Sequence, residues 1–230
     1  MPMKKIIIGL VVVAILGGGF AFWYFSKSDE SLDTSTKNIN SAQSADNITE
    51  QSTPDGNWKV QMQDDVFGGY EIEEIFAGES VKKTAAGKSK EVSGSFTLTG
   101  NTLSDGEILI DTTKLKSSES KRDSTQQRSG LETDAFPEAI FKQSEPVVIT
   151  PAIAKNVETT VNVPGQLTLH GQTNDVIFPL QASWDGKVIK VSGDLKIQLS
   201  DYGIKPPASP FVTVDDNGIL KVQLLFVPAI

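Results

Sequence analysis

A chain of 230 residues, 38 % of them hydrophobic, has room for one barrel-sized domain and a tail, with little left for a second core. The formal charge of −8 and pI near 4.7 exclude a nucleic-acid partner, because phosphate binding needs a basic stripe and the chain has none. Cysteine is absent and His170 is the single histidine, which excludes a disulfide frame, an iron–sulfur cluster, a thiolate zinc site and a multi-histidine metal centre, so no cofactor or metal is expected.

Ile6 to Phe25 is an uncharged run. At about 1.5 Å per helical residue it spans the roughly 30 Å of a bilayer core. Lys4 and Lys5 precede it, Phe22, Trp23, Tyr24 and Phe25 suit the interfacial belt, and Asp29-Glu30 follow. These features predict a single-pass transmembrane helix over 6–25, a cytoplasmic N-terminus over 1–5 and an extracytoplasmic remainder of the chain. The run is longer than a usual signal-peptide core and lacks a clean small-x-small exit, which favours an uncleaved anchor. Residues 26–54 are rich in Ser, Thr, Asn, Asp and Gln and predict a disordered tether with a reach of roughly 30 Å.

The folded domain is expected over 55–230. Trp58, Val60 and Met62 alternate with Lys59 and Gln61 as a first strand, and Tyr70 to Phe76 read as a second, with Glu73-Glu74 marking a bulge. The segment holding Lys82, Lys83, Lys88 and Lys90 reads as a solvated loop, with contact to anionic lipid headgroups as the alternative. Val92, Phe96 and Leu98 form the apolar face of the next strand, and Ser104-Asp105-Gly106 reads as the turn into its partner over 107–111. Ser117 to Gly130 is the one plausible helical stretch, with Ser120-x-x-Asp123 at capping-box spacing. Phe136-Pro137 then forces extension before a strand at Ile140-Phe141.

Val161 to Leu199 carries the clearest signal. Val161, Val163, Leu167 and Leu169, then Val176, Phe178, Leu180 and Trp184, then Ile189, Val191, Leu195, Ile197 and Leu199 share one face. Gln166, Thr168, Gln181, Ser183, Lys190, Ser192, Asp194 and Lys196 share the other. Gly171 and Asp185-Gly186 supply the turns. The proline loop of Pro206, Pro207 and Pro210 leads to a last strand through Leu220, Val222, Leu224 and Phe226. A meander with one apolar face covers that face by closing into a barrel, so the expected fold is all-β.

Arg122-Asp123, Phe136-Pro137-x-x-Ile140-Phe141, Leu167-Thr168-Leu169-His170-Gly171-x-Thr173 and Asp201-Tyr202-Gly203, in that order, resemble the YceI-like family of polyisoprenoid-binding proteins over roughly Trp58 to Val227. The resemblance implies a lipocalin-like antiparallel β-barrel of about eight strands, a short helix near Arg122, and an apolar cavity for an isoprenoid or other long-chain lipid. Two departures stand out: Gly69-Tyr70 replaces a usual His-Ser pair, and Ser124-Thr125-Gln126-Gln127 replaces a stretch where a bulky apolar residue is common.

A filled core and a ligand cavity need the same alternation. Small residues on the apolar face, Gly94, Gly165, Ala182 and Gly193, would leave volume inside, or would serve to curve the sheet. The expected interior, and so the expected ligand-binding set, is Phe96, Leu98, Ile110, Leu167, Leu169, Phe178, Leu180, Val191, Leu195, Val222 and Leu224, with Phe136 closing the mouth. Arg122 and Asp123 meet a polar head group at that mouth, or more simply pair with a carboxylate and cap the helix. His170 reads as an exposed turn residue. No Gly-x-Ser-x-Gly elbow, P-loop or dinucleotide loop is present, which argues against an enzyme. A surface module with a packed barrel that acts by protein contact is the alternative, and pairing as a homodimer is open in either case.

Overall fold

A computed structural model describes residues 29–46, 48–77, 80–205 and 212–229. The expected transmembrane run and the proline loop lie outside these residues. Among the described residues no helix is long and apolar enough to cross a membrane.

Eleven strands form one antiparallel sheet: β1 (Gly56–Val60), β2 (Phe67–Phe76), β3 (Lys83–Ser89), β4 (Val92–Thr99), β5 (Thr102–Asp111), β6 (Glu138–Gln143), β7 (Val147–Val148), β8 (Glu158–Leu169), β9 (Gln172–Trp184), β10 (Ile189–Gln198) and β11 (Val212–Pro228). Their pairing runs β1-β4-β5-β6-β8-β9-β10-β11, and β1 pairs again with β11, which closes an eight-stranded ring. The β2–β3 hairpin hangs from the free part of the β11 edge. A single helical turn, α1 (Ala42–Ala45), precedes the barrel, and α2 (Ser120–Thr125) continues into a π turn at Gln126–Gly130 between β5 and β6.

The meander forms as its alternation predicts. Leu169 faces Gln172 across a two-residue loop in which His170 and Gly171 have φ of 50° and 71°. Elsewhere the local signals are used differently. Ser104-Asp105-Gly106 lies inside β5, where the pairing slips between Ser95 and Thr97, while the hairpin turns at Gly100. Asp105 has φ 56°, and a bulge needs the same left-handed residue as a turn. The irregularity next to Glu73-Glu74 belongs to β11, between Val214 and Gly218. The lysine segment is strand β3, with Ala85 and Ala86 both buried. Its alternation is hidden because small residues are covered on both faces. The capping role expected of Ser120 falls to Ser117, whose N–H and hydroxyl donate to Asp123 Oδ1 at 2.8 and 2.6 Å.

Residues 29–54, expected as a tether, run along the outer wall of the barrel. The hydroxyls of Ser31, Thr34 and Thr36 donate to the carboxylates of Glu71 (2.7 Å), Asp194 (2.5 Å) and Glu158 (2.5 Å), so one strap crosses β2, β10 and β8. Ser35 N–H donates to Gln223 Oε1 at 3.2 Å, and Gln51 N–H to the Gly186 carbonyl at 2.7 Å. The Ser/Thr composition that reads as disorder supplies hydroxyl donors to an acid-rich wall. Ile39, only 2 % exposed, is the apolar rivet of the strap, joined to the same core as Val66 and Leu225.

Replacing Ile39 with Ala is therefore expected to cost about 2–4 kcal/mol, the range for a buried aliphatic truncation. Urea denaturation measures this; a loose tether would leave the midpoint unmoved.

Candidate functional site

Inside the barrel, a cavity of about 70 Å³ lies in the half remote from α2. That is several times the roughly 10–15 Å³ needed by one water. Its wall combines Phe96 and Leu98 of β4, Leu103 and Ile108 of β5, Phe141 of β6, Val161 and Val163 of β8, Leu180 and Ala182 of β9, Ile189 and Val191 of β10 and Phe226 of β11. Ile149 and Ile153 come from the connection between β7 and β8. Phe96 and Phe226 meet edge to face at 4.7 Å, and Trp58 stacks on Phe96 at 6.4 Å. Gln143 also borders the cavity, but its polar ends are engaged: Oε1 accepts from Gly106 N–H at 2.9 Å, and Nε2 donates to the carbonyls of Leu103 (3.0 Å) and Glu145 (2.7 Å). The resulting surface suits hydrocarbon. Among the described residues no group of three or more His, Asp or Glu converges as a metal site.

Of the expected interior residues, Phe96, Leu98, Leu180 and Val191 line this cavity. Leu167, Leu169, Phe178, Leu195, Val222 and Leu224 are buried but belong to the packed core, and Ile110 is half-buried against it. Phe136 sits elsewhere, edge-on to the His170 ring at 4.7 Å, on the β8–β9 turn at the α2 end. It covers that turn and does not close the cavity.

Three of the four small residues do not leave space. A Cβ on Gly165 would lie 2.5 Å from the Phe141 ring, one on Gly193 would lie 2.6 Å from Leu180 Cδ2, and one on Gly94 would lie 2.5 Å from the Glu107 carbonyl oxygen. They seat neighbouring groups. Ala182 alone borders the void. A sharper signal is the gradient along the inner face of β8, where Thr159, Val161 and Val163 give way to Leu167 and Leu169. The slim end is the hollow end.

Arg122 is at the opposite end, so it does not shape the cavity mouth. Its guanidinium pairs with Asp29 of the strap and lies 3.6 Å from Glu74 Oε2. Asp29 also accepts from Ala86 N–H at 2.9 Å and from the Ser118 hydroxyl, while its own N–H donates to the Thr84 carbonyl at 2.8 Å. Burial pushes the Glu74 carboxyl above its usual range; Arg122 opposes the rise and Asp29 adds to it. Burial likewise raises the Tyr70 phenol, whose hydroxyl donates to Gln126 Oε1 at 2.6 Å. The two departures noted in the sequence thus meet in one half-buried hydrogen bond. His170 is 13 % exposed rather than open to solvent: Nδ1 is 3.1 Å from the Tyr202 carbonyl oxygen and Nε2 3.1 Å from Glu132 Oε2. Packing under Phe136 explains the difference.

A sequence-family model described as the YceI-like domain matches residues 32–226. The chain belongs to the YceI-like family. A UPF0312 protein of Pseudomonas putida (strain W619) is 29 % identical to this YceI-like chain over 138 residues, 56 % of the chain and 68 % of that protein. The solved polyisoprenoid-binding domain from Saccharophagus degradans implicated in plant cell wall breakdown shares its fold, with a TM-score of 0.59 at 15 % identity over 75 % of this chain and 98 % of that one. BcnA of Burkholderia cenocepacia superposes with a TM-score of 0.50 at 18 % identity over 68 % of this chain and 95 % of that one. The YceI-like match begins inside the strap, at residue 32.

The acidic pair around Arg122 gives a pH prediction. A carboxyl whose folded pKa is raised stabilises the fold below its unfolded pKa and loses that contribution as pH climbs through the folded value. Glu74→Gln is therefore expected to raise the melting temperature at pH 7.5, with the gain vanishing near pH 4. Thermal melts across that range measure it; equal melting at pH 7.5 would show that Glu74 carries no burial penalty.

Proposed function

We propose that this YceI-like protein holds a long apolar lipid, with an isoprenoid-type chain favoured, in the hollow half of its barrel, and that residues 6–25 anchor it in a membrane with the barrel on the extracytoplasmic side. The observation that carries the reading is the apolar cavity enclosed by a closed ring of strands. The polyisoprenoid-binding neighbour supports the ligand class. Burial at about 25 cal/mol per Å² binds a hydrocarbon chain without a charged anchor. The wall supplies no charge to receive one, since Glu107, the acidic residue on its border, faces outward toward Lys142 at 3.7 Å.

The chemistry is binding and not catalysis: the single histidine is tied to a carbonyl and to Glu132. The modest volume favours one competing reading, a packed module acting by surface contact.

Native mass spectrometry with lipid extraction separates the two, on a chain beginning at Asp29 and purified without detergent. A stoichiometric apolar adduct is expected. Ala182→Leu, which fills the void, is expected to abolish the adduct while holding or raising the melting temperature. A mass that stays ligand-free after incubation with isoprenoids and fatty acids overturns the lipid reading in favour of the contact module.

A further inference from the structure

The strap fixes where the N-terminal segment leaves the barrel. Asp29 is bonded through its N–H to Thr84 and through its carboxylate to Ala86, Ser118 and Arg122, so the chain departs beside the β2–β3 hairpin at the α2 end. From Phe25 to Asp29 there are four Cα steps, at most about 14 Å of backbone. If the run ending at Phe25 sits in a bilayer, the hairpin is held at its surface.

The hairpin is shaped for that position. It presents Val81 at 71 % exposure and Ile75 at 38 %, two of the six large exposed hydrophobic groups among the described residues, close to the chain exit. Lys82 pairs with Glu73 and with Asp215 at 3.0 Å, and Lys83 lies 5.2 Å over the Phe76 ring. Beside these cations the described part of the tip offers aliphatic surface. Burial of two such side chains is too little to bind a vesicle alone. An anchor a few residues away raises the effective concentration enough for that contact to persist.

We infer that the β2–β3 hairpin, through Val81 and Ile75, is a bilayer-contact surface, and that the Asp29 clasp orients the barrel with α2 toward the membrane and the hollow half away from it. The inference rests on the anchored reading proposed above and adds the orientation. The partner is the surface of a lipid bilayer, met by aliphatic side chains, so zwitterionic lipid suffices.

The absence of cysteine makes the test direct. Single cysteines replace Val81, Val148 at the hollow end, or Ile177 on the side wall, in the full chain reconstituted into phosphatidylcholine vesicles, each bearing an environment-sensitive fluorophore. Nitroxide-labelled lipids are expected to quench the probe in V81C several-fold more than those in V148C and I177C, and adding Asp29→Ala is expected to bring the V81C signal down toward the other two. Protein that fails to float with vesicles refutes the anchor itself. Protein that floats with all three probes equally water-exposed refutes the orientation and leaves the anchor standing; quenching at V81C that is unchanged by Asp29→Ala refutes the clasp as the device that sets the orientation. Because Val81 is exposed, its replacement does not threaten folding.

Discussion

The barrel depends on how one strand divides its hydrogen bonds. Along one edge β11 pairs with β10 from Asn217 to Phe226; along the other it serves β2 as far as Gln223 and β1 from Phe226. Between the two, Gln61 N–H donates to the Leu225 carbonyl at 2.8 Å, so the handover leaves that acceptor satisfied. Closure removes the edges that an open sheet of this length would expose. At this handover β11 is covered on both faces. Leu224 inside and Leu225 outside are both fully buried, the first in the barrel core and the second on the strap side.

That outer burial explains the strap's chemistry. The wall beneath it is polar: Lys221, with a side chain 8 % exposed, lies 2.8 Å from Asp194 and 3.5 Å from Glu71, and Ser192 and Gln223 are buried beside it. Covering such a surface with aliphatic residues would strand donors and acceptors. Short hydroxyl side chains satisfy the carboxylates from above while Ile39 closes the one apolar gap. A segment can therefore look disordered by composition and still be ordered, provided a complementary surface exists.

The fold was largely legible. Strict alternation over Val161 to Leu199 gave the meander, and the run Leu224-Leu225-Phe226-Val227 breaks alternation in the way that burial on both faces requires. What stayed hidden had specific causes. Asp105-Gly106 signals a left-handed residue, and local sequence does not say whether a turn or a bulge uses it. Ser31, Thr34 and Thr36 find partners more than thirty residues away, which no window of sequence reveals. The site was legible only in part because Leu167 and Val191 have the same pattern, and whether an inward residue packs or lines a void depends on which residues face it.

Most of the family-motif residues gather at the α2 end of the barrel, away from the cavity, which Phe141 alone of them lines. His170 of one motif meets the Tyr202 carbonyl of another, Phe136 of a third covers His170, and Arg122 of a fourth holds the strap at the same end. These contacts close the barrel and fix the long connection between β5 and β6. Most of the hollow half is walled by residues outside those motifs, such as Ala182, Val161, Val163, Ile149 and Ile153. Each is a plain apolar residue that volume-changing substitution alters without touching the hydrogen bonds that close the ring. The contacts that close the ring and the residues that set the volume of the void are therefore largely separate, and the slim end of β8 and its neighbours decide that volume.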